Sequence, residues 1–368
     1  MPSHQNSLPC PICGQSQGVP PLKPGERALC TRCGTTLAEC VRWGPDAALI
    51  FALTGLVLVV PSMLLPFVIL RKIGIEKTSF LSGSFQGLWS HGGFGLLGAW
   101  VLFCGILAPT TLLALIVAIY WMDRHARLST WNRRLRRLAE GIAHWAVPEV
   151  QVLAVMVAFF KLGDVVTVSV GPGLWCYGAA SFFTLLAWHR LHLQLLEEKG
   201  PPTQRSPTAE AAALAVSAVI LLYPAYALPV MHLGTVGSND SDTTIFSGIM
   251  QLWRQGLGGL AAIVFTASFL VPLLKLTGLA WLLMAVWSKS AKHSRLLTRI
   301  YGAIDFIGRW SMLDVFLVAF LSGAVRFGAL ASVHPRSGII AFASVVILTM
   351  LATRRFDPRL LWTDPRPA

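Results

Sequence analysis

This sequence is poor in charge, and in acidic residues above all. Only 13% of its 368 residues are Asp, Glu, Lys or Arg, and the acidic ones number 17. With 54% of the chain hydrophobic, there is too little polar surface to cover a water-soluble globule, and that class is excluded. Disorder is excluded as well, because 13 Trp and 19 Phe stand among long aliphatic runs and do not stay solvated. No phosphate-binding Gly-x-x-x-x-Gly-Lys loop occurs, so ATP hydrolysis is not expected of this chain. Neither a Ser-His-Asp set nor a carboxylate pair for acid–base work can be assembled, and no enzyme is expected. Cysteine is scarce and local: five of the seven lie within the first 40 residues, which describes one device and not a disulfide framework.

What the sequence has in abundance is membrane-spanning length. A helix needs about 20 mostly apolar residues to cross the hydrocarbon, and eight runs qualify: 47–70, 92–121, 147–167, 174–195, 211–233, 257–287, 312–332 and 338–353. The expected fold is all-α integral membrane with eight transmembrane helices. Connections on one side carry 22 Lys and Arg against five on the other, which puts both termini in the cytoplasm. The net charge of +13 thus belongs to cytoplasmic loops rather than to a nucleic-acid surface. Residues 1–46 lack an apolar core of signal-peptide length, so none is expected ahead of the first span.

Shifted by 163 to 165 residues, the chain matches itself. Pro61 to Pro66 falls on Pro224 to Pro229, Ser82 to Trp89 on Ser247 to Trp253, and Pro109 on Pro272. Trp145, Glu149 and Lys161 fall on Trp310, Asp314 and Arg326. Four helices per copy is an even number, so both copies enter from the same side and the repeats are parallel. The expected domains are 1–46, a first repeat 47–196, a Pro- and Gly-containing linker 197–208, and a second repeat with a cytoplasmic tail, 209–368.

Cys10-Pro-Ile-Cys13 and Cys30-Thr-Arg-Cys33 form a C-x2-C-x16-C-x2-C pattern, each pair followed by glycine. Two such knuckles supply four thiolates for a tetrahedral ion, expected to be a single structural Zn2+ with no open position. A rubredoxin-type iron or a redox dithiol shares the spacing. Cys40, Cys104 and Cys176 read as small apolar filler.

An ionisable side chain in a membrane helix costs about 2.5 to 3.5 kcal/mol on insertion scales. Glu149, Lys161, Lys275, Asp314 and Arg326 fall within the spans and are expected to form an intramembrane polar network, with Asp164 near an outer end. The acid and base within each equivalent helix lie about 18 Å apart along the axis, too far to pair. Lys275, three residues after Pro272, is at a depth comparable with Asp314 and is expected to meet it. The first repeat has Leu112 at the matching place. Such a network serves a proton-linked relay or a polar path for a headgroup, or else statically fixes helix order. Asp305, Arg309 and Trp310 are expected to anchor a helix at the cytoplasmic interface. Between spans, Thr78 to Gly83 and Thr243 to Gly248 open short amphipathic segments ending in Trp89 and Trp253, suited to the outer interface or to a periplasmic partner.

Several of these stretches resemble the paraquat-inducible protein A family: Tyr301-Gly-Ala-Ile-Asp-Phe-Ile-Gly-Arg-Trp-Ser-Met-Leu-Asp-Val-Phe316, Phe356-Asp-Pro-Arg-Leu-Leu-Trp362, Thr244-Ile-Phe-Ser-Gly248 and Val271-Pro-Leu-Leu-Lys275. The resemblance is detailed over 211–364 and looser over 47–196. It implies a bacterial inner-membrane protein that works with a periplasm-spanning MCE-domain partner and moves phospholipid or another lipid between membranes. Family members commonly carry a ribbon before each repeat, whereas 197–210 here holds no cysteine, so only the N-terminal ribbon should bind metal. A membrane scaffold that docks the partner without transporting is the alternative of a different class.

Overall fold

The computed structural model describes residues 7–23, 25–39, 46–72, 75–89, 93–124, 129–163, 167–198, 208–235, 241–288, 294–324 and 331–362. A small ribbon comes first, made of two antiparallel hairpins: β1 (Ser7–Pro9) with β2 (Ser16–Gly18), and β3 (Arg27–Leu29) with β4 (Thr36–Glu39). Next come α1 (Ala47–Leu64), β5 (Val68–Lys72), β6 (Ile75–Ser79), α2 (Gly83–Trp89), α3 (Gly95–Leu102), a π-helical turn Phe103–Leu107 and α4 (Ala108–Arg124). The first half ends with α5 (Ser129–Ala143), α6 (Pro148–Gly163), β7 (Thr167–Val170) and α7 (Pro172–Glu198). The second half keeps this order. It contains α8 (Thr208–Ala227), β8 (Met231–Thr235), β9 (Ser241–Thr243), α9 (Ile245–Arg254), α10 (Gly258–Phe265), a π turn Thr266–Leu270 and α11 (Val271–Trp287). Then follow α12 (Ser294–Gly308), a 3-10 turn Arg309–Met312, α13 (Leu313–Ala324), β10 (Ala331–Pro335), α14 (Ser337–Arg355) and a 3-10 turn Pro358–Leu361.

Six helical runs among the described residues are long and apolar enough to cross a membrane: Ala47–Leu64, Gly95–Arg124, Trp131–Phe160, Thr208–Ala227, Gly258–Trp287 and Ser337–Arg355. The chain is a mostly helical, multi-pass membrane protein. Two of the eight expected spans, those at α7 and α13, are not in this set. Helices α1 and α8 turn large apolar side chains outward, with Val57, Leu64 and Tyr223 at 70%, 72% and 81% exposure, as a lipid-facing surface requires.

The all-α expectation is corrected by two three-stranded antiparallel sheets, ordered β6-β5-β7 and β10-β8-β9, besides the ribbon hairpins. Apolar runs read as helix to 70 and to 233 leave the helix at Leu64 and Ala227, and the runs ending at 167 and 332 finish in β7 and β10. Proline is the physical reason. Pro66 forces Leu65 out of the helical region, to φ −87° and ψ 151°, because a residue before proline is pushed to extended conformations. Pro229 stands at the equivalent place. Each break is then clamped alike. Phe67 N–H donates to Ser79 O at 2.8 Å and Val230 N–H to Thr243 O at 2.9 Å; Gly173 N–H donates to Pro66 O and Gly338 N–H to Pro229 O, both at 3.0 Å. On the three-stranded sheet of the second half, Asp242 Oδ1 also meets His232 Nδ1 at 2.8 Å and Arg336 Nε at 3.3 Å.

In each half the first and last long helices lie side by side, α1 with α7 and α8 with α14. The halves meet along α13, where every residue from Ser311 to Ser322 is buried, and α13 packs chiefly against α2 and α6 of the first half. The apolar core is continuous across this seam, joining Leu88, Val150 and Ala154 to Phe316 and Phe320.

Close backbone approach makes Gly338 irreplaceable in its turn: a Cβ there falls 2.5 Å from Pro229 O and 2.6 Å from Leu228 O. Gly338→Ala is therefore expected to lower stability by about 1 to 3 kcal/mol, the range for overpacking. Gly259→Ala, where a Cβ meets no atom within 4 Å, should be neutral. Thermal unfolding of both variants in detergent checks the difference.

Candidate metal centre and intramembrane polar site

The four ribbon cysteines come together because each knuckle folds on itself. Gly14 N–H donates to Cys10 O at 3.0 Å and Gly34 N–H to Cys30 O at 2.8 Å, with the glycines at φ +74° and +79°, where a side chain is strained. Cys10 Sγ lies 3.5 Å from Cys33 Sγ and Cys13 Sγ 3.5 Å from Cys30 Sγ, and all four sulfurs are within 4.8 Å of one another. A tetrahedral ion about 2.3 Å from each sulfur sets them roughly 3.8 Å apart, so the donor set fits a metal ion. Burial pushes the Cys10 and Cys13 thiols up. At Cys30 burial acts the same way but is outweighed by the amides of Cys33 and Arg32, which bring that thiol to about 7. Cys104 is buried in the first π turn and Cys176 is half-buried, as filler should be; Cys40 lies outside the described residues.

Of the expected membrane network, Lys275 is the most deeply placed, 2% exposed on α11. Its ammonium donates to Thr349 Oγ1 of α14 at 3.1 Å and lies against Gly308, where a Cβ would be 3.2 Å from Nζ. Among the described residues, no ion pair joins it to Asp314. The acid that acts on it electrostatically is Asp305 of α12. Geometry explains the difference, because α11 packs on α12 and α14, whereas Asp314 heads α13, which turns toward the first half.

Asp314 is buried in the first turn of α13, and Glu149 is half-buried in the first turn of α6. A carboxylate at that end is stabilised by the helix dipole, by about 0.3 to 1 kcal/mol. Lys161 belongs to α6 and Arg309 to the following half's 3-10 turn, but their side chains, like the whole of Arg326 and Asp164, lie outside the described residues. Asp305 reaches the first half. Its Oδ1 lies 4.0 Å from His144 Nδ1, across the two halves. Beside it, Trp145 meets Trp100 edge-on at 5.0 Å and takes the Arg354 guanidinium 6.0 Å from its ring centroid. Trp310 is 38% exposed, which suits a place at the membrane boundary.

The charge scan missed a polar device present in both halves. Pro109 and Pro272 lack an N–H, so the carbonyls four residues earlier, of Gly105 and Ser268, lose their helical donor. Each falls in a π turn, and each is met by a tyrosine. Tyr177 OH donates to Gly105 O at 2.6 Å and Tyr226 OH to Ser268 O at 3.1 Å. The Tyr177 hydroxyl also lies 2.9 Å from Gln151 Oε1. Each hydroxyl is an electrostatic neighbour of the acid heading the seam helix of its half, Glu149 or Asp314. The two prolines were the available signal, and the chain has only five tyrosines to search for the matching donors.

Elemental analysis of the purified chain is expected to give one metal ion per molecule, and none after Cys13→Ser with Cys33→Ser. Tyr177→Phe strands a buried carbonyl and is expected to cost about 1 to 3 kcal/mol of stability. Tyr223→Phe, on an 81% exposed side chain, should leave the same unfolding curve unchanged.

Comparison with known proteins places this architecture. No solved structure matches the chain. It is 29% identical to the intermembrane transport protein PqiA of Escherichia coli strain K12, covering 97% of this chain and 95% of the relative. It is 26% identical to a probable intermembrane transport protein of Haemophilus influenzae, covering 96% and 95%, and 26% identical to the lipophilic envelope-spanning tunnel protein A of E. coli, covering 96% and 90%. Two of these relatives are named for transport, the third for a tunnel, and none for an enzymatic reaction. A single family model matches the chain over 46–198 and again over 208–365, and the chain belongs to that family, paraquat-inducible protein A.

Proposed function

We propose that this protein is the membrane subunit of an intermembrane lipid transport system. In this reading it sits in a bacterial inner membrane with both termini cytoplasmic and hands phospholipid to or from an MCE-domain partner that spans the periplasm. The two halves are copies of one four-helix unit, in keeping with the matched order of their elements and with the two family matches. The ribbon holds one structural zinc ion, for which four thiolates at tetrahedral spacing are the natural donor set. Transport between membranes is the role printed in the names of two of the relatives.

The observation that carries the reading is Lys275. A lysine 2% exposed in a membrane helix, held by the hydroxyl of Thr349, costs stability that an apolar residue would not. Packing alone offers no return for it. Glu149, Lys161, Lys275, Asp314 and Arg326 together would form a proton-linked path that drives or gates lipid passage, with Asp305, Arg309 and Trp310 at its cytoplasmic end.

One observation favours the second reading, a scaffold that docks the partner without transporting. The seam along α13 is closed, with every residue from Ser311 to Ser322 covered, so a lipid route between the halves requires that helix to move. Lipid transfer between donor and acceptor vesicles decides between them. Lys275→Ala and Asp314→Asn, present at normal levels, are each expected to slow transfer by roughly tenfold or more, the scale of one lost interaction of a buried charge. Undiminished transfer removes the proton-linked path, and a wild-type chain that binds its partner but moves no lipid leaves the scaffold.

A further inference from the structure

The ribbon precedes the first half in the chain, yet it lies against the second. Arg359, in the 3-10 turn Pro358–Leu361, donates through Nε and Nη2 to Pro11 O at 3.2 and 3.1 Å. Arg295, the second residue of α12, donates through Nε to Arg32 O at 2.8 Å and through Nη2 to Thr31 O at 3.3 Å. Pro11 lies between the cysteines of the first knuckle, and Thr31 and Arg32 between those of the second. Each arginine thus grips the carbonyls of one metal-binding turn. Arg32 answers by placing its guanidinium 5.0 Å from the ring centroid of Trp362 and donating to that residue's carbonyl at 3.4 Å.

Trp362 packs against the cysteine cluster while its Nε1 donates to Thr298 Oγ1 at 3.0 Å. The tail is tied to α12 by Ser294 Oγ, which donates to Leu361 O at 2.7 Å, and the Asp357 carboxylate accepts from Arg359 N–H at 3.0 Å. The matching positions 165 residues earlier are Thr130 and Gln194, so the first half presents no arginine pair of this kind.

Two physical requirements follow. The carbonyls of a knuckle point in fixed directions only while its cysteines are gathered, and a forked guanidinium needs fixed acceptors to form paired bonds. Four thiolates around a divalent ion also carry a net charge of −2, to which the cationic face of Arg295 and Arg359 is complementary.

We propose that the start of α12 and the tail 357–362 form a docking surface for the metal-loaded ribbon, so that metal bound by the N-terminal cysteines orders the cytoplasmic tail of the second half. The proposal rests on the ribbon being a metal centre. Linkage makes it reciprocal: if metal strengthens docking by some factor, docking strengthens metal binding by the same factor.

Hydrogen–deuterium exchange on the full chain in detergent, before and after stripping the metal with a chelator, tests the first direction. Backbone amides of 356–362 are expected to exchange at least about tenfold faster without metal, while those of α13 keep their rate. Arg295→Ala with Arg359→Ala tests the second: the variant should still take up one ion but release it to a chromophoric chelator at roughly tenfold lower concentration, within the usual span of coupling factors. Arg359→Lys, which keeps the charge but not the fork, should fall between. Tail exchange indifferent to the metal, or metal retention in the double variant within twofold of wild type, overturns the proposal. A wild-type chain that carries no metal is a separate failure, that of the metal centre itself.

Discussion

No water inside a bilayer is available to satisfy a backbone N–H or C=O, so each such group must find its partner within the chain. Much of this fold answers that one requirement. Helices carry the spans, and where Pro66 and Pro229 end a helix the chain passes directly into paired strands, so that its polar groups remain engaged. Inside the runs 95–124 and 258–287 a proline removes a donor, and a tyrosine hydroxyl supplies the replacement. The first half takes it from α7, its last long helix, and the second half takes it from α8, its first. Since those helices are neighbours of α1 and α14 respectively, the stranded carbonyl is what recurs, and the residue that meets it is free to come from either member of the pair.

Much of this was legible in the residues, and the rest was not for definable reasons. The cysteine spacing picked out the whole cluster because a knuckle is local: two cysteines, the turn between them and a glycine at positive φ encode the geometry within five residues. Long helices were legible from hydropathy, with ends misplaced where an apolar run continues into a strand, as at Val68 to Leu70. Hydropathy sums burial and cannot separate a buried strand from a buried helix; Pro66 and Pro229 carried that information. The partner of Lys275 was misread because depth along an axis says nothing about which way a side chain faces. Thr349 and Gln151, being neutral, gave a search for charge nothing to find.

The halves share a frame but not its polar chemistry. At the matching depth the first half has Leu112, 2% exposed, where the second has Lys275. Among its own buried polar groups is Gln151, hydrogen-bonded to Tyr177 and seated against Gly105 where a Cβ would fall. At this depth the first half makes its buried contact between two neutral side chains, Tyr177 and Gln151, and the second between the Lys275 ammonium and the Thr349 hydroxyl. A fold that needed only fixed helix order could use the neutral arrangement twice.

Helix α13 shows how such groups act without touching lipid. Its 12 described residues span about 18 Å, and protein covers those from Leu313 to Ser322. In water, uncovering its Phe316, Leu317, Val318 and Phe320 would carry the full hydrophobic penalty. In a bilayer that penalty is nearly absent, because lipid tails are as apolar as leucine, and helix association rests on close packing and polar contacts. The seam between the halves is then governed less by its apolar length than by its polar ends, where Asp314 begins the helix and the contacts of His144 with Asp305 and of Trp145 with Arg354 bridge the two halves. Charge at those ends, more than the apolar stretch between them, thus sets how firmly the halves hold together.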